Sequence, residues 1–490
     1  MKTSRFFKLS AALVAAALVA TFAVGAPVSA QDAPDAPSDA APKYAVDFSK
    51  TVGTIKPLNG VNLWTRLSYQ RLQDDQPVAE ACRFSTVRLH DAPWDNNGLR
   101  LVDVHQIFGN LEADPADPKN YFFDATDDYI EAILKGGAAP IYRLGTSIEH
   151  APRGYFAKKP NAEQYAEICA AIVRHYNAGW ANGHKWNLQY WEIWNEPNLV
   201  PQMWDDPDWA SYCQFYVVVA KRLRAEFPTI KIGGPALTHA DPKLIGWLAD
   251  VCKANDAPLD FVSWHCYAKG PADVLNPPFA MRKLLDDKGF PNAELHLNEW
   301  HYFPIGWDEV HGTKGGAARK REFSTSEEGL HGADAAGFNC FVMSRWQDGP
   351  LDMSNYYAYG LHNWGLFDPY GEPRKTYYSM VAFGELAKLS PNRVATVDGG
   401  SGSVALLGGI GGDGSSANGA ASKRLLVSFF KNDATDAPIE IALSGVPSSG
   451  SVSVLQIDYE NAALERDVDY SDGVLKLDAP RSGVYLIRWK

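Results

Sequence analysis

Short apolar runs alternate with longer amphipathic stretches over the first three quarters of the chain. The short runs are rich in β-branched and aromatic residues, which favours strands, whereas the longer stretches repeat apolar residues at helical spacing. The predicted strands are residues 58–64, 86–90, 139–144, 188–195, 230–233, 261–266, 294–298 and 340–344. Four of the predicted helices are residues 162–177, 208–227, 241–254 and 319–336. Eight strand–helix units predict a (β/α)8 TIM barrel of the α/β class, with a doubly wound open sheet as the alternative.

The pattern changes after residue 390. Helical spacing is absent there, and short alternating runs predict antiparallel strands at residues 404–407, 425–430, 439–443, 452–457, 474–477 and 484–489. We therefore expect a barrel at residues 57–390 and a C-terminal antiparallel β-sandwich at residues 391–490. Residues 44–56 precede the first barrel strand and are a candidate for one more sandwich strand. The letters G-x-G-x-x-G at 409–414 open no helix, so they do not predict a dinucleotide site.

The amino terminus has the pattern of a secretory signal peptide. Three basic residues lie in the first eight positions, an apolar run covers residues 11–25, and small residues follow at 28–30. The apolar run is short for a membrane helix, so no membrane span is expected. Cleavage near Ala30 would give a secreted or periplasmic protein. Residues 31–43, rich in Ala, Pro and Asp, are predicted to be a disordered spacer.

Net charge and cysteine spacing limit the kinds of binding partner, metal site and disulfide framework that the chain can have. The net charge is −12, and it becomes −15 without residues 1–30, which hold three basic and no acidic residues. An acidic surface argues against nucleic acid and anionic membranes as partners. The six cysteines include no Cys-x-x-Cys pair. Their spacing does not suit a zinc site or a dense disulfide framework, although one or two bridges are compatible with an oxidising compartment.

The stretch WEIWNEPN at residues 191–198 places a carboxylate at the end of the fourth predicted strand. Proline cannot continue a central ladder, so the strand is expected to end at about Asn195, next to Glu196. Strict alternation would put Glu192 and Trp194 on one face and Asn195 on the other. Glu192 would lie about 13 Å deeper than Glu196. It is expected to form a structural hydrogen bond or ion pair near the barrel floor.

A second carboxylate occupies the same kind of position in ELHLNEW at residues 294–300. Glu299 ends the seventh predicted strand, so in a closed barrel it would face Glu196 across one mouth. Glycoside hydrolysis needs two such carboxylates, one to donate a proton and one to attack or to activate water. A single glutamate there is more often a solvated charge. Two of them, each preceded by Asn and close to Trp, favour the chemical interpretation.

These motifs resemble those of a known family. Trp-Asn-Glu-Pro-Asn at 194–198 and Leu-Asn-Glu-Trp at 297–300 resemble the acid/base and nucleophile motifs of clan A glycoside hydrolases. The likeness is greatest to glycoside hydrolase family 39, which includes β-xylosidases and α-L-iduronidases. It extends from about residue 44 to the C-terminus, and Val-Arg-Leu-His at 87–90 resembles the second-strand motif. The loop at 91–95 departs from the family form, so β-xyloside specificity is not carried over.

The resemblance implies roles for individual residues. Glu196 would be the general acid/base and Glu299 the nucleophile of a double displacement. Asn195 would bind the sugar 2-hydroxyl, and Arg88 would hold Glu299 ionised. The remaining expected sugar-binding residues are His90, His265, Tyr267, Trp300 and Trp346, the last because it follows the eighth predicted strand.

The sequence therefore predicts a retaining, exo-acting glycoside hydrolase whose partner is a carbohydrate. An endo-acting glycanase on a plant or algal polysaccharide is the alternative, and a non-catalytic carbohydrate-binding protein is a further one. No cofactor and no metal are expected, because this chemistry requires neither and no metal-ligand motif is present. Trp489 is the only tryptophan of the predicted sandwich, which favours a structural role for that domain.

Overall fold

The structure is a computed structural model. It describes residues 42–65, 75–94, 99–147, 160–307, 309, 316–360, 364–412, 422–434 and 437–489. The predicted signal peptide, and all but two residues of the predicted spacer, lie outside the described residues. Within the ranges that are described, no helix combines the length and the apolar character needed to cross a membrane.

Eight parallel strands close into a barrel, which confirms the predicted TIM-barrel fold and rules out the open sheet. Strands and helices are numbered separately along the chain. The barrel strands, in their order around the wall, are β2 (Gly60–Asn62), β3 (Thr86–Leu89), β6 (Ala139–Leu144), β7 (Tyr190–Ile193), β8 (Lys231–Leu237), β9 (Phe261–Ala268), β10 (Glu294–Tyr302) and β11 (Met353–Tyr356). A two-stranded hairpin, β4 (Pro93–Trp94) and β5 (Leu99–Arg100), follows β3.

Helices surround this barrel, and several begin at an acidic or amide cap. Asn161, Asp208 and Asp241 each accept a backbone N–H at the start of a long helix, which stabilises it by about 1 kcal/mol. The helices are α1 (Gln76–Ala81), α2 (Val104–Ile107), α3 (Asp124–Lys135), α4 (Ala162–Ala178), α5 (Trp209–Glu226), α6 (Pro242–Ala254), α7 (Ala272–Leu275), α8 (Pro277–Lys288), α9 (Gly316–Thr325), α10 (Ala333–Arg345) and α11 (Lys375–Leu389).

The predicted eighth strand at 340–344 is wrong, because those residues form the second half of α10. Every residue of α10 except Arg345 is buried. A short run that is apolar on all sides cannot be assigned to helix or strand by periodicity alone. The true eighth strand is β11, and the single helix predicted at 319–336 is divided between α9 and α10.

The C-terminal region forms a mostly antiparallel sheet, as predicted. Nine strands are hydrogen-bonded in the order β17-β16-β19-β14-β13-β12-β1-β15-β18. The N-terminal strand β1 (Tyr44–Thr54) lies in this sheet, antiparallel to β12 and parallel to β15. The other strands are β12 (Asn392–Val397), β13 (Val404–Ile410), β14 (Lys423–Phe429), β15 (Ile439–Ser444), β16 (Gly450–Ile457), β17 (Leu464–Tyr470), β18 (Val474–Leu477) and β19 (Gly483–Trp489).

One face of the C-terminal sheet encloses its own apolar core, and the other packs against α10 and α11. Gly337 permits the close approach of α10, because a Cβ atom there would lie 2.1 Å from the carbonyl oxygen of Phe429. On α11, Glu385 accepts hydrogen bonds from Arg424 at 2.9 Å and from Arg488 at 2.7 Å. The sheet is thus fixed to the barrel through two helices.

All six cysteines are among the described residues, and each is an unpaired thiol. Five of them are buried, and Cys266 is partly buried. The composition allowed one or two disulfide bridges, and the structure has none among these six cysteines.

Candidate active site

The two predicted carboxylates meet at the carboxyl ends of the barrel strands. Glu196 follows β7 and Glu299 lies within β10. Each has an oxygen within 4.8 Å of the other and of one nitrogen of His265. The side chain of Glu196 is 15% exposed and that of Glu299 is 8% exposed. The predicted pair is therefore brought together in a nearly dry site.

A left-handed turn places Asn195 in the site. Trp194 has φ 74° and Glu196 has φ 46°, both in the region that is costly for residues other than glycine. Strand β7 ends at Ile193, and the chain then turns so that Asn195 faces the same guanidinium as Glu192. The alternation that put Asn195 on the opposite face from Glu192 is therefore wrong. Such local strain is typical of functional sites.

Trp194 points away from the site as a result of the same turn. Its indole N–H donates to the carbonyl of Met203 at 2.8 Å, and its ring packs against Tyr165 and Trp204. The turn is also held by backbone hydrogen bonds, from Trp194 to Leu144 and from Glu196 to Ala236.

A β-bulge in β10 changes the direction of a side chain, as the left-handed turn after β7 does. The register between β10 and β9 shifts between Leu297 and Glu299. Neighbouring residues of a regular strand face opposite sides, whereas a bulge re-aims one of them. Here Asn298 donates to Glu192 while Glu299 accepts from Arg88, so both side chains lie inside the barrel.

Arg88 on β3 is the central cation of the site. It is fully buried and donates from Nε to Glu192 at 2.7 Å, from Nη2 to Asn195 at 2.6 Å and from Nη1 to Glu299 at 3.3 Å. Nη1 also donates to Asn62 at 3.2 Å. Because a guanidinium is planar, these contacts fix Asn195 and Glu299 relative to each other.

Glu192 forms the predicted ion pair, but not at the barrel floor. It shares one guanidinium with Glu299, so it lies directly beneath the site. Its other oxygen accepts hydrogen bonds from Ser263, at 2.7 Å, and from Asn298. The long Arg88 side chain reaches both carboxylates, a contact that spacing along one strand does not reveal.

His265 and Tyr267 on β9, which were expected to bind sugar, contact the two carboxylates directly. The Nδ1 atom of His265 lies 2.7 Å from Glu196 Oε1 and 3.6 Å from Glu299 Oε2. The Tyr267 hydroxyl donates to Glu299 Oε1 at 2.5 Å. The two residues are two positions apart on one strand and therefore share its inner face.

Burial changes the proton affinities of all three groups. It raises the pKa of Glu196 to about 7, against the opposing effect of Arg88. Burial also raises the pKa of Glu299, and it outweighs Arg88 and the Tyr267 hydrogen bond, which act to lower that pKa. The pKa of His265 falls to about 4 because burial disfavours the imidazolium, so this ring is neutral near pH 7.

His90 lies at the edge of the site. Its Nε2 atom is 3.9 Å from Glu299 Oε2 and 3.6 Å from Asp91 Oδ2. Asp91 also accepts a hydrogen bond from the Tyr357 hydroxyl at 2.8 Å. This link between the ends of β3 and β11 was not predicted, because β11 itself was misassigned.

Trp300 and Trp346 do not line the site, so their prediction as sugar-binding residues is corrected. Trp300 follows Glu299 on β10 and faces outward; it is fully buried against Trp346, with ring centroids 5.2 Å apart. Trp346 follows a helix rather than a strand, and its indole N–H donates to the carbonyl of Val274 at 3.1 Å. Both belong to the packing between the barrel wall and its helices.

Other aromatic residues lie beside Glu299 instead. The ring centroid of Tyr267 is 4.9 Å from that of Trp307 and 5.2 Å from that of Trp364. Trp307 is 44% exposed, whereas Phe303 behind it is buried. Trp307 follows β10 and Trp364 follows β11.

Glu196, His265 and Glu299 also have the spacing of a possible metal site. However, the two carboxylates can carry out glycosyl transfer without a metal. Their mutual arrangement, with one donor-rich and one donor-poor carboxyl, is suited to nucleophilic and acid/base chemistry.

Comparisons with known proteins agree with this architecture. The sequence profile of the family described as "Glycosyl hydrolases family 39" matches residues 50–279. A curated beta-xylosidase from Geobacillus stearothermophilus is 26% identical over 313 residues, which are 58% of each chain. The present chain therefore matches less than two thirds of the length of that relative.

Solved structures share the fold over nearly the whole chain. A glucosidase from Croceicoccus marinus superposes with a TM-score of 0.72 at 19% identity, covering 91% of this chain and 98% of the other. The GH39 enzyme from Xanthomonas axonopodis pv. citri gives a TM-score of 0.66 at 17% identity, covering 92% and 99%. Sequence profile, curated relative and architecture together support a glycoside hydrolase that is similar to glycosyl hydrolases family 39.

Proposed function

We propose that the protein is a retaining, exo-acting glycoside hydrolase in which Glu196 is the general acid/base and Glu299 is the nucleophile. One observation carries the proposal. Oxygens of the two carboxyl groups lie within 4.8 Å of each other, around a neutral histidine and next to a buried arginine.

The short separation supports retention of configuration. Retaining glycosidases hold their two carboxyl groups about 5–5.5 Å apart, whereas inverting enzymes need about 6.5–9.5 Å to admit a water molecule. The distance between Glu196 and Glu299 falls in the shorter class. At this separation no water molecule fits between the second carboxylate and the anomeric carbon, so that carboxylate attacks directly.

The two carboxyls differ in a way that assigns their roles. Glu299 accepts hydrogen bonds from Tyr267 and Arg88, both of which favour its ionised form. Glu196 has a pKa of about 7, since burial favours its protonated form. We therefore assign the proton of the pair to Glu196, and Glu299 is the carboxylate that attacks.

The reaction proceeds in two balanced steps. Glu299 attacks the anomeric carbon while Glu196 transfers its proton to the leaving oxygen, so a glycosyl ester forms and an alcohol departs. The ester removes the charge of Glu299 and lowers the pKa of Glu196, which now acts as a base. It takes a proton from water, and the resulting attack releases the sugar and restores both groups.

Asn195 is placed to favour the transition state. Its Oδ1 atom accepts from Arg88 at 2.6 Å, so the amide nitrogen is directed away from the guanidinium. In the proposal this amide donates to the sugar 2-hydroxyl region, where a hydrogen bond strengthens as the oxocarbenium-like state develops. The strained turn at Trp194 fixes that orientation.

Exo action and a β-xyloside substrate are supported by burial and by similarity. The two carboxylates are almost enclosed, which suits a pocket that receives the end of a glycan. The exposed ring of Trp307 lies near Tyr267, where it can stack on the apolar face of a sugar. The curated relative from Geobacillus stearothermophilus is a beta-xylosidase, so a β-xyloside is the first substrate to test.

The test is release of nitrophenol from a panel of aryl α- and β-glycosides, comprising xylosides, arabinosides, glucosides, galactosides and uronides. Glu299→Ala is compared with wild type and with Glu131→Gln, which changes an exposed glutamate on α3. We expect turnover of one glycoside by wild type and Glu131→Gln, and none by Glu299→Ala.

Two results would overturn the proposal. Turnover that persists in a folded Glu299→Ala protein would remove the nucleophile assignment. Cleavage within polysaccharides, with no release from any aryl monosaccharide, would replace exo action by endo action.

A further inference from the structure

A second cluster of titratable side chains lies away from the catalytic carboxylates. It consists of Asp127 on α3, His175 on α4 and His184, which follows α4. In a parallel barrel the segment between a helix and the next strand lies at the amino ends of the strands. His184 is in such a segment, between α4 and β7, and the cluster shares no residue with the group formed by Glu196, His265 and Glu299.

The contacts of His175 place its two nitrogens between two acceptors. Its Nδ1 atom is 2.9 Å from the carbonyl oxygen of Trp180, which can only accept a hydrogen. Its Nε2 atom faces Asp127, which lies 3.0 Å away and is also an acceptor. The second contact therefore needs either a proton on Nε2 or a cation between the two atoms.

The same arrangement is typical of metal ligands. A histidine that binds a metal through one nitrogen commonly donates from the other to a backbone carbonyl, which fixes its tautomer and ring orientation. His175 makes this contact with the carbonyl of Trp180.

The distances suit a small ion with tetrahedral coordination. Asp127 Oδ2 lies 3.2 Å from Nε2 of His175 and 3.3 Å from Nε2 of His184. Zinc bonds to nitrogen and oxygen are about 2.0–2.1 Å long, so neighbouring ligand atoms in a tetrahedron lie about 3.3–3.4 Å apart. The three ligand atoms lie within 4.8 Å of one another, so only a small shift would complete one coordination sphere.

Aromatic packing holds both rings in place. Phe123 stacks on His175 with centroids 3.6 Å apart, and Trp186 stacks on His184 at 3.7 Å. Asp127 is 20% exposed and His184 is 32% exposed, whereas His175 is buried. An ion could therefore enter from solvent and keep a water molecule as its fourth ligand.

We propose that Asp127, His175 and His184 bind a divalent transition metal ion, with Zn²⁺ as the preferred ion. Two imidazoles and a carboxylate are a ligand set that zinc accepts, whereas Mg²⁺ and Ca²⁺ prefer oxygen ligands. The ion joins α3, α4 and the segment before β7. Its role is structural, because the cluster shares no residue with the catalytic carboxylates.

The test uses untagged full-length protein, stripped with a chelator and then dialysed. Thermal unfolding is measured with and without Zn²⁺, and Co²⁺ is added in parallel to record its visible ligand-field absorption. His184→Ala removes one partly exposed ligand, and His239→Ala is the matched control because His239 is 65% exposed and outside the cluster.

We expect Zn²⁺ to raise the melting temperature of wild type and His239→Ala, and Co²⁺ to give a tetrahedral spectrum in both. His184→Ala should fold, show no such spectrum, and gain no thermal stability from Zn²⁺. Mg²⁺ should have no effect on any of the three proteins. A wild type that shows neither response, or a His184→Ala protein that responds as wild type does, would overturn the proposal.

Discussion

The hydroxyl of Tyr267 offers a direct test of how the site controls Glu299, the proposed nucleophile. It donates to Glu299 Oε1 at 2.5 Å, and this hydrogen bond lowers the pKa of Glu299 against the effect of burial. A hydrogen bond to a charged group contributes about 1.5–3 kcal/mol. At about 1.36 kcal/mol per pKa unit, its loss would raise the pKa of Glu299 by about 1–2 units.

Tyr267→Phe therefore has a specific expected effect on the pH dependence of catalysis. Glu299 must be ionised to attack, so the acidic limb of the kcat/KM profile should move to higher pH by about 1–2 units. The basic limb, set by Glu196, should move much less. The profile is measured with the aryl glycoside that wild type turns over.

Tyr216→Phe is the matched control. Tyr216 is also buried, and its hydroxyl donates to the carbonyl of Pro258 at 3.0 Å, outside the site. This variant should lose some stability and keep the wild-type pH profile. An unchanged acidic limb in a folded Tyr267→Phe protein would refute the reasoning, as would an equal shift in Tyr216→Phe.

Three further predictions concern other glutamates. Glu196→Gln should slow kcat by about 10²–10⁴-fold and abolish the basic limb near pH 7, as measured by pH–rate profiles; a retained limb would contradict its role as the acid. Glu192→Gln leaves the charge of Arg88 incompletely paired and should destabilise the fold by about 3 kcal/mol in urea unfolding, a result that an unchanged midpoint would contradict. Burial raises the pKa of Glu294, but hydrogen bonds from His296 and Lys231 outweigh it and lower the pKa to about 2. Because the folded pKa is depressed, this stabilisation is fully present above about pH 5 and is lost as the pH falls towards 2. The difference in unfolding free energy between wild type and Glu294→Gln should therefore narrow over that window; a constant difference would show that the ion pair is not its source.

The sequence predicted the barrel because seven of its strands alternate with helices in the expected way. It failed at the eighth strand, where burial on every side removes the periodic signal from α10. The strand β17 was missed for the opposite reason. It is an edge strand with charged, exposed positions, so it lacks the apolar alternation that reveals a half-buried strand.

The residues of the candidate site could be predicted where a sequence motif coincides with the end of a predicted strand. Glu196 and Glu299 follow that rule, and His265 and Tyr267 share one strand face as regular alternation requires. The alternation fails at Trp194, where a positive φ turns the chain, and a bulge disrupts it at Asn298. Neither departure has a glycine or another local signal, because the surrounding structure imposes it.

Long-range contacts were beyond the sequence for a different reason. Glu192 and Glu299 lie more than 100 positions apart, yet one guanidinium joins them. The Asp127, His175 and His184 cluster likewise combines two helices and a connecting segment. Residue spacing does not predict contacts between residues that are distant in sequence until the strand order around the barrel is known.

The central claim is that Glu299 forms a covalent glycosyl ester. The most direct test is to incubate the protein with an activated 2-deoxy-2-fluoro analogue of the sugar that it turns over, which slows release of the ester more than its formation. Intact and peptide mass spectrometry then locates any adduct. The account predicts one fluoroglycosyl group per protein, attached to Glu299 and absent from Glu299→Gln. An adduct on Glu196, or time-dependent turnover of the analogue with inversion and no adduct, would contradict it.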